Sequence, residues 1–142
     1  MNVSGRWAEC DDGFVRPLMT GFAFDSAGEL VPITFIVDTG ADRTLLSAEV
    51  FEKLKLPPKG SRDRLSGLGG LRDMVQVETR VGFQADNGHY LIYKSQYCCL
   101  TTPGALDMPL LGRDLLDIFA VIVDRPGDRV CVLTADHPYQ ID

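Results

Sequence analysis

The chain has 142 residues, 45% of them hydrophobic and 24% charged, as expected of one globular domain with a modest core. Its formal charge of −6 argues against a nucleic-acid partner, because phosphate binding needs a basic face. No apolar run approaches the ~20 residues of a membrane span, and Met1 to Asp12 lacks the apolar stretch of a secretory signal, so no membrane partner is expected.

Residues 1–13 carry little pattern beyond Trp7 and read as a polar segment. Arg16 to Asp25 reads as a strand, Ser26-Ala27-Gly28 as a turn, and Leu30 to Val37 as the returning strand of a hairpin. The apolar, β-prone end of that strand, Phe35-Ile36-Val37, delivers a single carboxylate, Asp38. Thr39 and Gly40 then supply a hydroxyl and a position where backbone can approach closely. Thr44-Leu45-Leu46 restarts an apolar run, which predicts a tight loop between two buried segments. Asp and Gly alone are ordinary turn residues. A carboxylate pinned between buried strands must instead be hydrogen-bonded, paired or protonated, the setting in which it becomes chemically useful.

Ser47 to Leu54 reads as a short helix, with Ser47 as N-cap, Glu49 in the first turn and Val50, Phe51 and Leu54 on one face. Pro57-Pro58 prevents its continuation. Residues 59–73 are polar and then glycine-rich, Leu65-Ser66-Gly67-Leu68-Gly69-Gly70-Leu71. Their spacing fits neither a P-loop nor a dinucleotide fingerprint, which leaves a hairpin. Met74 to Gln84 alternates, with Val75, Val77 and Thr79 on one face. Asp86-Asn87-Gly88 is a turn, and Tyr90 to Leu100 a strand whose Tyr90, Tyr93 and Tyr97 are expected to pack. Leu110-Leu111-Gly112 leads into a helical turn or two over Arg113 to Phe119. Strands follow over Ala120 to Asp124 and Arg129 to Leu133, and the tail 134–142 is polar.

Four cysteines (Cys10, Cys98, Cys99, Cys131) are too few and scattered for a disulfide framework, and Cys98 and Cys99 should face opposite sides of their strand. With no C-x-x-C pair and only His89 and His137, no metal site is expected. Free thiols fit a reducing compartment, so cytoplasmic is the expected location.

Asp38-Thr39-Gly40-Ala41 after its apolar run, with Leu110-Leu111-Gly112-Arg113-Asp114-Leu115-Leu116 placing its glycine 74 positions further on, resembles the retropepsin-like aspartic peptidases. The resemblance implies a mainly β, single-domain closed barrel or sandwich over residues 1–142. It also implies a flap hairpin at about 62–76, one or two short helices, and action as a homodimer on protein or peptide substrates without cofactor. Asp38, Thr39 and Gly40 would be catalytic, with Thr39 in a cross-subunit hydrogen-bond grip and Gly40 offering its N–H to the carboxylate. Ala41, Asp42, Gly67, Leu68, Gly69, Gly70 and Leu111 would contact substrate, and Gly112 and Arg113 would support the loop, Arg113 by pairing with Asp42. Asp114 stands where the viral members usually have asparagine.

The chemistry of that class needs two carboxylates sharing a water and a proton. This chain has one Asp-Thr-Gly: Asp25-Ser26 runs into Ala27, and Asp86-Asn87-Gly88 is a turn. Two chains, each donating Asp38, are therefore expected. A serine at position 41 could hydrogen-bond the carboxylate and favour its charged form. Alanine cannot, so activity should peak from mildly acidic toward neutral pH. Two other readings compete. One is a dimer of the same fold kept for protein binding, which has no need of an intact Asp38-Thr39-Gly40. The other is an unrelated small β-barrel for an apolar ligand, which explains the strands but not the paired motifs.

Overall fold

The computed structural model describes residues 1–67, 70–135 and 141, and of 60–67 and 70–72 the backbone only. Eleven strands and two helices are present among them. The first strands are β1 (Asn2–Ser4), β2 (Arg6–Glu9), β3 (Val15–Phe24), β4 (Leu30–Val37) and β5 (Leu45–Leu46), followed by α1 (Ala48–Leu54). Next come β6 (Lys59–Gly67), β7 (Gly70–Gln84), β8 (Tyr90–Leu100), β9 (Leu110–Leu111), α2 (Arg113–Leu116), β10 (Ala120–Asp124) and β11 (Arg129–Leu133). No helix among the described residues is long and apolar enough to cross a membrane.

The larger sheet runs β2-β3-β4-β9-β5-β8-β7-β6, and an extra β3–β7 pairing closes its six central strands into a barrel. Closure depends on two glycines at the seam. A Cβ on Gly21 would meet the carbonyl oxygen of Gly82 at 2.6 Å, and one on Gly82 would meet the Phe22 ring at 2.6 Å. Thr79 Oγ1 adds a hydrogen bond to the Phe24 carbonyl at 2.7 Å. The barrel interior holds Met19, Phe35, Leu46, Val77, Val81, Phe83, Tyr97, Cys99 and Leu111, all buried. Burial on β7 alternates from Val75 to Val81, as its period-two pattern dictates.

Adjacent Cys98 and Cys99 project to opposite faces. Cys99 lies in this main core, while Cys98 joins Leu45, Met74 and Leu100 in a second cluster. Burial pushes the Cys99 thiol up to about 12. Tyr97 packs as expected, and its hydroxyl donates to the Tyr93 carbonyl at 2.6 Å. Tyr90 is more than half exposed and meets the Phe22 ring edge-on at 5.9 Å.

Helix α1 starts where expected: Ser47 Oγ accepts from Val50 N at 3.3 Å, a cap of about 1 kcal/mol. It stops at Lys55, which turns left-handed at φ 52° ahead of the proline pair.

The amino terminus departs from the polar segment expected of residues 1–13. It supplies two short strands, β1 beside β11 and β2 beside β3. Neither has the alternation that marks a strand in sequence, because pairing rather than a long apolar face holds them. Trp7 carries much of the packing. Its ring is half-buried against the core with the Arg125 guanidinium 5.4 Å above it, and Nε1 donates to the carbonyls of Asp124 (3.1 Å) and Arg129 (3.3 Å). It thus pins the β10–β11 hairpin to the barrel. That hairpin and β1 form a separate three-stranded sheet in the order β1-β11-β10.

Candidate active site

Strand β9 inserts between β4 and β5, parallel to the first and antiparallel to the second, so the two sequence motifs lie side by side. Ile36 stands opposite Leu110 and Val37 opposite Leu111. Asp38 N donates to the Leu111 carbonyl at 3.1 Å, which carries the ladder one residue past the end of β4. The carboxylate is thereby fixed at its backbone by the second motif.

The loop then folds back on itself. Gly40 N donates to Asp38 Oδ1 at 3.0 Å, and Ala41 N to the Asp38 carbonyl at 3.2 Å. A Cβ at Gly40 would stand 3.3 Å from that same Oδ1, tighter than most side chains tolerate. Asp38 is half-buried, while Thr39, Gly40 and Asp42 are exposed. The expected enclosure between buried segments therefore holds on the barrel side only. The outer side of the loop is open in the single chain.

The second motif locks the loop from below. Arg113 N donates to the Ala41 carbonyl at 2.8 Å and Asp114 N to the Asp42 carbonyl at 3.2 Å. The Arg113 guanidinium and the Asp42 carboxylate form an ion pair, at the surface on both sides. Gly112 lies flat against the other loop, since a Cβ there would fall 2.3 Å from the Arg43 carbonyl carbon and 2.7 Å from Thr44 N. Only glycine fits this crossing. Leu111, expected on the substrate side, is 2% exposed and packs in the core beneath the loop.

Thr44 and Asp114 complete the lock and were not singled out as a pair in the sequence. Asp114 Oδ1 accepts from Thr44 N (2.8 Å), Thr44 Oγ1 (2.6 Å) and Leu115 N (2.9 Å). Thr44 Oγ1 in turn accepts from Gly112 N at 3.1 Å. Thr44 is wholly buried, so each of these bonds satisfies a group that water cannot reach. Tyr97 lies near enough that its ionisation, already opposed by burial, is opposed further by the Asp114 charge. The one available signal was a hydroxyl, Thr44, opening an otherwise apolar run.

The expected flap falls on the β6–β7 hairpin. Its backbone is paired from Asp63–Met74 to Gly67–Gly70, with a register irregularity between Lys59 and Asp63. Gly67 and Gly70 face each other across its end, whereas Leu68 and Gly69 lie outside the described residues.

A cleft of about 760 Å³ runs beside β4. Thr34 and Ile36 line it with Leu18, Leu106 and Met108, and Glu9, Asp11, Asp12 and Arg16 are among the charged residues around it. Thr34, Ile36 and Asp38 alternate along the chain, so the cleft follows the strand face that leads to the carboxylate. The Arg16 guanidinium grips Asp12 through two bonds (2.7 and 2.6 Å) and holds its carboxyl down to about 2. Among the described residues, no three His, Cys, Asp or Glu side chains are grouped to hold a metal ion.

Comparison with known proteins agrees with this geometry. A family model described as aspartyl protease matches residues 24–115, from the end of β3 through most of α2. Among solved structures, a retropepsin-like aspartic protease from Rickettsia conorii superposes with TM-score 0.58 at 24% identity, over 92% of this chain and 98% of that one. The EIAV protease complexed with the inhibitor HBY-793 superposes with TM-score 0.52 at 22% identity, over 72% of this chain and 86% of that one. The barrel, its inserted β9 and the two apposed motifs thus have a common account: the chain belongs to the aspartyl protease family and has the retropepsin-like fold.

Proposed function

We propose that the chain is an endopeptidase that works as a homodimer, with Asp38 of each copy forming one catalytic dyad. The observation that carries this reading is the single Asp38, held by Leu111 and Gly40 on a loop whose outer side is open. One such carboxylate cannot act as both base and acid, and an exposed Thr39-Gly40 is where a second copy would close the site.

In the dimer the two carboxylates share one proton, because like charges a few ångströms apart resist double ionisation. The ionised Asp38 takes a proton from water as its oxygen bonds to the peptide carbonyl carbon. The protonated Asp38 gives its proton to the carbonyl oxygen, and a neutral tetrahedral diol results. A proton then passes from one diol hydroxyl through the dyad to the peptide nitrogen and the C–N bond breaks. The dyad ends singly protonated, as it began. Gly40 N–H steadies the ionised form. The β6–β7 hairpin is assigned as the flap that covers bound substrate, and its glycine end suits opening and closing. The cleft along Thr34 and Ile36 suits an extended peptide, since it follows a strand toward Asp38. Free thiols at Cys10, Cys99 and Cys131 favour the cytoplasm as the working compartment.

Cleavage of an unstructured protein such as casein tests the reading, with wild type beside Asp38→Asn, between about pH 4 and about pH 8. Asp38→Asn should lose at least about a hundredfold in rate. Wild-type specific activity should rise with protein concentration. Activity that survives the substitution would refute the assignment, and an optimum near pH ~2 would refute the effect argued for Ala41.

A further inference from the structure

Between β8 and β9, residues 101–109 run without strand or helix. Leu106, Asp107 and Met108 of this loop line the cleft together with Leu18, Thr34 and Ile36. Both ends of the loop are fixed to strands. Thr101 N donates to the Asp73 carbonyl of β7 at 3.3 Å, and the Pro109 carbonyl accepts from Ile36 N of β4 at 2.9 Å. The middle is held differently. Ala105 N donates to the Thr102 carbonyl at 3.2 Å, closing a turn in which Gly104 is left-handed at φ 74°. Gly104 N donates to Glu49 Oε1 at 3.1 Å, a carboxylate in the first turn of α1. Among the described residues, this is the one hydrogen bond from 102–108 to a nitrogen or oxygen of another element. Ala105 and Leu106 also pack on the cluster of Leu45, Met74, Cys98 and Leu100, and the Met108 sulfur lies 3.9 Å from that of Cys10.

We propose that Glu49 is a positioning residue for substrate: by holding Gly104 it sets where Leu106 and Met108 stand, and so the width of the cleft beside Ile36. This rests on the peptidase reading above, in which an extended peptide lies in that cleft. Glu49 does not line the cleft itself, so it acts through the loop. Its place suits positioning better than stabilising. Glu49 and Gly104 are both exposed, so water can replace their bond and the core loses nothing with it. A segment without ladder bonds depends on such contacts to select one of several nearby arrangements. A shift of ~1 Å in a wall that holds substrate is then enough to weaken binding. The carboxyl is also prepared for the task. Its own N–H, then that of Gly104, hold it below the ordinary carboxyl range against a small opposing effect of desolvation, and the Ser47 hydroxyl adds to them. It therefore stays ionised through mildly acidic and neutral pH, where a hydrogen bond to a charged acceptor is the stronger kind. Negative charge at the start of α1 has a second use, since it favours the helix, and the test separates the two.

The test is steady-state cleavage of a fluorogenic peptide, built on a casein sequence that wild type cuts, by wild type, Glu49→Ala and Glu49→Gln. Glu49→Ala should raise KM about tenfold while kcat stays within about twofold, because binding is lost and the dyad is untouched. Glu49→Gln keeps an acceptor oxygen but removes the charge, so it should restore KM to within about threefold of wild type. If charge at the helix start were all that mattered, glutamine would be as damaging as alanine. A second readout needs neither cleavage nor the alanine variant. In an NMR titration of Asp38→Asn, the Gly104 amide should follow the ionisation of one carboxyl, and adding Glu49→Gln should abolish that response. An active wild type whose Glu49→Ala variant keeps its KM or loses only kcat, a Glu49→Gln variant as impaired as alanine, or a Gly104 amide indifferent to Glu49 overturns the positioning role and leaves the peptidase reading standing. A wild type that cleaves nothing overturns both.

Discussion

Asp114→Ala tests whether the lock between the two loops holds the site together. One oxygen, Asp114 Oδ1, accepts three hydrogen bonds, two of them from wholly buried Thr44. A hydrogen bond contributes ~0.5–1.5 kcal/mol net, and a buried donor left without an acceptor costs ~1–3 kcal/mol. Asp114 is exposed, so water entering the vacated space recovers part of this, and the expected loss is about 2 kcal/mol. Asp114→Asn keeps an acceptor oxygen in place and gives up only the charge, for about 1 kcal/mol or less. Urea unfolding measures both, at one fixed protein concentration because a dimer's stability depends on it. With a slope of ~1–3 kcal/mol/M, the alanine variant should unfold at a midpoint lower by about 1 M. Casein cleavage should fall with it, since Gly112, Thr44 and Ala41 share the network that seats Asp38. An alanine variant within ~0.5 kcal/mol of wild type, or an asparagine variant equally damaged, would refute the account.

Further outcomes follow from other contacts. Gly112→Ala drives a Cβ against the backbone of Arg43 and Thr44, which cannot rotate aside, so it should cost about 3 kcal/mol; an unchanged melting temperature would contradict this. Trp7→Phe loses the indole donor to Asp124 and Arg129 and should cost about 1 kcal/mol, with faster amide exchange confined to β10 and β11; uniform exchange would disprove the local pin. The Asp12 carboxyl is held below its ordinary 3.8 by Arg16, first through their hydrogen bonds. Its folded value is depressed, so whatever stability the pair provides is complete above about 4 and is lost as pH falls through about 2. Arg16→Ala should return the carboxyl toward 3.8 in an NMR titration, and no movement would mean the pair does not persist in solution.

Where the fold was legible, local pattern and tertiary demand agreed. The span Leu30–Val37, the Ser47 cap, the alternation on β7 and the strand Tyr90–Leu100 all follow from residues whose neighbours in sequence reveal their burial. β1 and β2 lacked such signals because their partners, β11 and β3, decide their conformation. Asp38 and Gly112 were recognisable because each sits in a motif. The Thr44–Asp114 bond was not, since 70 residues separate two side chains that look ordinary alone. Leu111 was expected to contact substrate from its place in the second motif, but only the insertion of β9 beside β4 fixes which way it faces, and it faces the core. Trp7 is the plainest case, because its partners are backbone carbonyls that no pattern of side chains announces.

The inserted strand also sets a timetable. Asp38 leaves the ribosome with its loop unfinished, because the carbonyl that receives its N–H belongs to Leu111 and the crossing glycine is Gly112. At ~5–20 residues per second, making the intervening chain takes several seconds, and β11 must follow before β1 and β10 have their central strand. Contacts of such long sequence separation also fold slowly. Under the proposed assignment of Asp38, a nascent chain therefore cannot complete its site until translation has moved well past the carboxylate itself.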